Sequence, residues 1–349
     1  PWYLRYTPRM PTVGMLAVLL AVACDTAGEH RVLAEDWPGF HGLDIAGVLP
    51  DADLPGTWDN QEYHWTFDLE TRDVGSMAVQ GGNIYVLSTA PENQSIRLIS
   101  IDLETGRKNW SREFPQAKNH LHNRNTLASG TPATDKDHVY VAHSDREHTW
   151  LRCLDHDGNE IWKRDFGAAK SMHGFGTSPT VHGEVVLLNF SQQAERLKGG
   201  KPGISRVIAV NRSTGETMWE TPVTATTVCY GVPVVRDGKV ICANTGDGLY
   251  ALSLETGELL WKLPVFKLRC VSTPIVVGDL AIGSSGSGGG RNHLVAVRMP
   301  VNGAGAPTEV YRIERNAPYV PTSVVHEGAM FVVDDNGIAS CFDVATGEN

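Results

Sequence analysis

Long hydrophobic runs are missing from this chain. None of its stretches reaches the length of a bilayer-spanning helix, and none carries an apolar stripe at helical spacing. Basic residues are the minority: 30 Lys and Arg face 40 Asp and Glu, for a formal net charge of −10. That balance excludes sequence-independent nucleic-acid binding, which needs clustered cations. The one local basic cluster, "RLKGGKPGISR" over 196–206, reads as a solvated hairpin excursion. Cysteine is sparse, with no C-x-x-C. Beyond Cys24 there are Cys153, Cys229, Cys242, Cys270 and Cys341, scattered and odd in number. This argues against a disulfide framework or a zinc site and for single buried thiols. A pairing of Cys229 with Cys242 or with Cys270 stays open. "GSSGSGGGRNH" (283–293) lacks the Gly-Lys-Ser/Thr ending of a phosphate cradle and reads as a hairpin loop.

What is abundant is glycine, 36 residues, set beside Asn, Asp or Thr between short apolar runs. This is the punctuation of a turn-rich, all-β protein. Residues 1–34 stand apart. Arg5 and Arg9 precede the apolar "VGMLAVLLAVAC", which reads as an export signal ending in a lipobox-like cysteine, Cys24. The expectation is an exported chain, in the periplasm or outer envelope, touching a membrane only through a lipid on Cys24. The chain opens on Pro1, which places the natural start upstream or at Met10 or Met15.

From residue 35 onward the chain repeats. "LISIDLETGRKNW" (98–110), "VIAVNRSTGETMW" (207–219), "LYALSLETGELLW" (249–261) and "IASCFDVATGEN" (338–349) align on a Thr-Gly turn. "LRCLDHDGNEIW" (151–162) keeps the turn with Asp-Gly, and a degenerate copy over 294–311 puts Tyr311 near the tryptophan position. Each copy follows an apolar strand, a polar turn and a second apolar strand. Their anchors, Met77, Pro132, Pro179, Pro233, Pro274 and Pro321, recur every ~40–55 residues, the step of four-stranded propeller blades. Six blade starts are visible. The sixth copy stops before its tryptophan, while "WDNQEYHWTFDL" (58–69) carries Trp65 with no inner strand ahead of it. The expectation is therefore a C-terminally cut propeller of seven or eight blades over 35–349.

The turn explains the spacing. A type I turn followed by a left-handed residue favours glycine, hence Gly106, Gly215, Gly257 and Gly347. Thr105, Thr214, Thr256 and Thr346 are placed to steady the turn through their hydroxyls. Trp110, Trp162, Trp219 and Trp261 then follow on the outer strands, each burying ~150–250 Å² against the next blade. Strict alternation puts Leu259 and Leu263 on the face of Trp261, with Leu260 and Lys262 opposite.

These residues resemble the pyrroloquinoline quinone (PQQ) repeat superfamily, whose docking motif runs Ala-x-Asp-x-x-Thr-Gly-x-x-x-Trp. "SIDLETGRKNW" keeps Asp102, Thr105, Gly106 and Trp110; "ALSLETGELLW" keeps Ala251, Thr256, Gly257 and Trp261 but has Ser253 for the aspartate. The opening "EDWPGFHGLDIAGV" is similar to the Trp-Pro-x-x-Arg-Gly start of exported bacterial propellers of this type, many planctomycete, with His41 at the arginine position. The same relatives resemble BamB-like envelope proteins. The resemblance implies a β-propeller and leaves function open, since the repeat serves quinoprotein enzymes and cofactor-free scaffolds alike.

For a quinoprotein dehydrogenase the resemblance implies PQQ, a Ca²⁺ in an oxygen cage and an aspartate base. No acidic cluster with that logic is visible, Asp334, Asp335 and Asn336 reading as a turn, and the adjacent Cys-Cys pair of many such enzymes is absent. The expectation is a monomeric binding or assembly scaffold of the cell envelope without a cofactor, recognising a protein, peptide or carbohydrate. The alternatives are a PQQ- and metal-dependent oxidoreductase and a carbohydrate-binding module. The candidate contacts lie in loops just before the inner strands, at the mouth of the channel: His120, His122, Asn123, Arg124, His173, Tyr230 and Tyr319. His120, His122 and His173 are also the candidate metal ligands, against a plainer reading as loop residues bonded to strand ends.

Overall fold

A computed structural model describes residues 36–49, 57, 63–71, 73–90, 95–117, 121–122, 125–193, 204–300 and 305–349. The leader with Cys24, most of the basic cluster, and His120, Asn123 and Arg124 lie outside them. The described chain forms five four-stranded antiparallel sheets and one of three strands, each a meander in chain order. These are the blades of a β-propeller, over residues 74–114, 133–165, 180–222, 234–263, 275–313 and 324–343. First strands pack against the first strands of neighbouring blades, which makes them the inner strands around the channel.

The core lies between blades rather than within one. Tyr140, Leu151 and Trp162 of blade 2 pack on Val186, Leu188 and Ile208 of blade 3, and equivalent clusters join each consecutive pair. The two middle strands of a blade are therefore covered on both faces, and Asn83–Thr89 or Gly248–Ser253 show no exposed side to match the alternation in their sequence. On blade 6 the side turned away from blade 5 leaves Phe331, Val333 and Ile338 about half exposed.

The Thr-Gly turns take the expected form. Gly106, Gly215, Gly257 and Gly347 have φ of 67° to 73°. The amide two residues beyond each threonine donates to its hydroxyl, as Glu216 N–H does to Thr214 Oγ1 at 3.2 Å. Where the motif aspartate is present it takes both Thr105 N–H and Thr105 Oγ1–H, at 2.7 and 2.6 Å; Ser253 takes only the Thr256 amide, at 3.2 Å.

Three of the four outer-strand tryptophans lie on the turn glycine of the following blade, Trp261 being the exception. Trp110 meets Gly158, Trp162 meets Gly215 and Trp219 meets Gly257, so close that a Cβ would fall 2.6–2.9 Å from the indole. The indole N–H caps a carbonyl in the same turn: His156, Arg212 and Leu254, at 2.8–3.0 Å. Tyr311 does the same work in the degenerate copy, its ring on Gly347 and its hydroxyl donating to Val344 at 2.8 Å. Trp65 docks on Gly106 and Leu103 in the same way, which puts residues 63–69 where the outer strand of a preceding blade belongs.

The alternation around Trp261 is corrected. Ala251 pairs with Trp261 but Leu252 pairs with Leu259, so Leu260 is an extra, bulged residue. The bulge takes Leu259 off the tryptophan's face, and Leu259 and Leu260 are 49% and 48% exposed while Trp261 is buried. The same slip sits one residue before Trp110, Trp162, Trp219 and Tyr311. It is a built feature of the repeat, turning the aromatic ring inward against the next blade. Among the cysteines, Cys153, Cys229, Cys242 and Cys270 are buried free thiols, but Cys341 is exposed on its strand rather than buried.

Candidate functional site

The connections from each outer strand to the next inner strand gather at one end of the channel. Ser171 Oγ accepts the amides of His173 and Gly174, at 3.0 and 3.1 Å, closing a tight turn in the connection between blades 2 and 3. That turn presents the His173 ring to His122 of the preceding connection, with centroids 4.8 Å apart and planes at 33°. Asn125 fixes the pairing by donating to the carbonyls of His173 and Phe175, at 2.7 and 3.2 Å.

Tyr230, in the connection between blades 3 and 4, reaches back to the same turn. Its hydroxyl donates to Gly174 O at 3.1 Å and lies 3.1 Å from Ser171 Oγ. Burial pushes its phenol pKa up. The Tyr230 amide donates forward to Cys270 O at 3.0 Å. Next to that cysteine, Arg269 donates back to Val228 O and forward to Tyr319 Oη, both at 3.0 Å. Tyr319 is held in turn by Asp335, whose carboxylate takes the amides of Tyr319 and Val320 at 2.7 and 3.1 Å.

The structure thus joins four expected residues, His122, His173, Tyr230 and Tyr319, into a mouth in which each connection braces the next. Arg269 is the link that sequence reasoning missed. Its signal was its place, five residues before the anchor Pro274, in the same loop class as the others. Among the described residues no group of three or more His, Cys, Asp or Glu gathers to hold a metal, and Asp335 is committed to backbone amides. This donor set does not fit the carboxylate and amide cage that a PQQ-bound Ca²⁺ requires.

The opposite end is shaped by residues 36–49. Trp37 pairs with Val79 of the blade 1 inner strand through two backbone hydrogen bonds of 2.8 Å, and Pro38 O accepts the Thr134 amide of blade 2. The segment then turns at Gly42 and Gly47, both at φ 69°, where a Cβ would meet Trp37 at 2.6 Å and Val324 of blade 6 at 3.0 Å. Ile45 packs on the core shared by blades 4 and 5, and Asp44 reaches Arg236 at 3.7 Å. Contacts to blades 1, 2, 4, 5 and 6 therefore hold this segment across the channel, beside a cavity of ≈ 880 Å³ lined in part by Phe40, Ile45, Val181 and Val235. His41, at the arginine position of the opening motif, stacks on Phe40 with centroids 4.5 Å apart, and burial lowers its pKa.

With that geometry in hand, known proteins place the chain. A family model described as "outer membrane protein assembly factor BamB" matches residues 57–228 and again residues 147–349. The chain belongs to the BamB family. Residues 36–49 precede both matched stretches. Outer membrane protein assembly factor BamB of Yersinia pestis is 25% identical over 212 residues, 57% of this chain and 50% of that protein. The chain thus spans about half the length of this curated relative. Among solved structures, a quinohemoprotein alcohol dehydrogenase from Pseudomonas putida is 13% identical, covering 78% of this chain and 57% of that one at a TM-score of 0.54. A europium-containing methanol dehydrogenase is also 13% identical, covering 81% and 79% at a TM-score of 0.51. At such identities these two likenesses carry the propeller fold alone, and this BamB-family chain shares that fold with both.

Proposed function

We propose that this chain is an assembly scaffold of the bacterial cell envelope that takes a partner polypeptide at the braced mouth. The carrying observation is the mouth itself. Five consecutive connections each place a polar or aromatic side chain there, His122, His173, Tyr230, Arg269 and Tyr319, fixed by hydrogen bonds before any partner arrives. Aromatic and arginine groups held in place in advance are what recognition surfaces favour, because little side-chain entropy is lost on binding. Membership of a family described by outer-membrane protein assembly supports a protein partner over a carbohydrate. The leader, with Arg5, the apolar run and Cys24, supports export to the periplasm or outer envelope with a lipid on Cys24. The reading is of a monomer that uses no cofactor.

The test places a photo-crosslinking residue at Tyr319 and, as a control, at the exposed outer-strand residue Ile161. Exposure to an envelope fraction is expected to give discrete protein adducts from position 319 and not from 161. Equal labelling from both positions, or none from 319, would remove the mouth as the partner site. Titration with PQQ and Ca²⁺ supplies the competing outcome: a stoichiometric change in quinone absorbance with dye-linked alcohol oxidation would replace the scaffold by a dehydrogenase.

A further inference from the structure

Two of the cysteines that the sequence leaves unpaired meet beneath this mouth. Cys229, between blades 3 and 4, and Cys270, between blades 4 and 5, are both fully buried in one apolar cluster. Their backbones run side by side, tied by Tyr230 N–H to Cys270 O at 3.0 Å and Arg269 Nε to Val228 O at 3.0 Å. Each thiol donates to the carbonyl two residues before it in its own connection, Cys229 to Thr227 O at 3.5 Å and Cys270 to Leu268 O at 3.9 Å, and the two lie close enough to bias each other's ionisation. Cys242 belongs to a different cluster, against Tyr250 and Val207, so the structure separates the two pairings that sequence left open.

We propose that Cys229 and Cys270 are a disulfide-forming pair, closing a covalent tie between two connections of the channel mouth. A disulfide needs two cysteines on closely adjacent backbones, and the hydrogen bond from Tyr230 N–H to Cys270 O sets these two connections side by side. The two thiols are also unlike. Burial works to raise both, but hydrogen bonding from Cys270 and the charge of Arg269 hold Cys229 below its ordinary value, while Cys270 stays well above. Once local opening admits an oxidant to this buried pair, Cys229 takes the part of first nucleophile. With a small disulfide such as oxidised glutathione, its sulfur forms a mixed disulfide and expels one glutathione thiolate. Cys270 gives up its proton and attacks the Cys229 sulfur, expelling the second. Two protein thiols are oxidised and one glutathione disulfide is reduced to two thiols, so electrons and protons balance. The tie stiffens Tyr230 and Arg269, the immediate neighbours of the two sulfurs.

The test uses the full chain with Cys341→Ser, which removes the exposed thiol, reduced and then incubated with oxidised glutathione during mild unfolding and refolding. The expected product is lighter by two hydrogen atoms, yields a protease fragment linking 229 to 270, and melts a few degrees higher until dithiothreitol is added. Free alkylation of both cysteines in denaturant after oxidation, or a fragment linking 229 to 242, would overturn the pairing. Mapping on this chain needs no further variant. A Cys270→Ala chain that folds is expected to stop at the glutathione adduct on Cys229, and full resistance of Cys229 to glutathione in that chain would count against it as the attacking thiol.

Discussion

The indole of Trp219 rests on Gly257 of the following blade, and its Nε1–H donates to Leu254 O at 3.0 Å. One glycine thus meets two demands, a left-handed backbone at φ 73° and an aromatic ring where its side chain would be. Gly238 separates them, since it has φ 69° with nothing within 4 Å of a built Cβ. Gly238→Ala is expected to cost about 1 kcal/mol, the left-handed penalty alone. Gly257→Ala adds a Cβ at 2.6 Å from the ring and 2.7 Å from Thr221 Oγ1 and should cost about 3 kcal/mol. Denaturant midpoints of the two variants, compared at equal slope, check the difference; equal costs would mean the ring yields.

The capping bond makes the tryptophans unequal. Trp219→Phe keeps most of the buried ring but strands the Leu254 carbonyl, an expected loss of about 1–2 kcal/mol. Trp261 Nε1 is buried without a hydrogen-bond partner among the described residues. Trp261→Phe should therefore cost less than Trp219→Phe, in the same denaturation assay. A larger loss at 261 would show that its indole N–H is engaged after all.

Acid sensitivity should come first from His143. Burial, and then the charge of Arg152, push its pKa down to about 3 from 6.5. Its Nε2 accepts from Arg152 Nε at 3.0 Å, and the Gln116 side-chain amide lies 2.8 Å from Nδ1. The unfolded chain takes up a proton below 6.5 that the folded chain refuses. The stability held by the neutral ring is therefore complete above that pH and falls as pH drops toward 3, by about 1.4 kcal/mol per unit. His41, also lowered by burial, acts in the same direction. His143→Gln should flatten the profile between about pH 6 and 4.5, above the range where the carboxylates titrate. An unchanged slope would assign the loss elsewhere.

How far these features were legible from sequence follows from their range in the chain. Thr105, Gly106 and Trp110 are close neighbours, and local turn chemistry is enough to read them. The bulge before each aromatic was hidden because period-two reasoning assumes an unbroken ladder; the exposed Leu259 is its consequence. His122 and His173 were found as loop residues, yet their stacking depends on Asn125 and Ser171 in two connections some 50 residues apart. The segment over 36–49 was legible as a motif and not as a channel-crossing element, because its anchors on Val79, Thr134, Arg236 and Val324 lie on blades far apart in the chain.

The brace at the mouth can be loosened by one oxygen atom. Tyr230→Phe removes the donor to Gly174 O and the contact with Ser171 Oγ while keeping the ring that packs beside Gly176. Ser171 Oγ still accepts the amides of His173 and Gly174, but the turn they form loses its tie to the next connection. Local opening then needs only the turn's own bonds to break, and amide exchange at His173 and Gly174 should accelerate about tenfold, the effect of a bond worth near 1.4 kcal/mol. Strands of blade 3 such as Val185–Phe190 serve as internal controls and should keep their rates. Acceleration across the whole blade would mark a global loss of stability. No change at His173 would mean that the stack on His122 and the Asn125 bonds alone hold the mouth in shape.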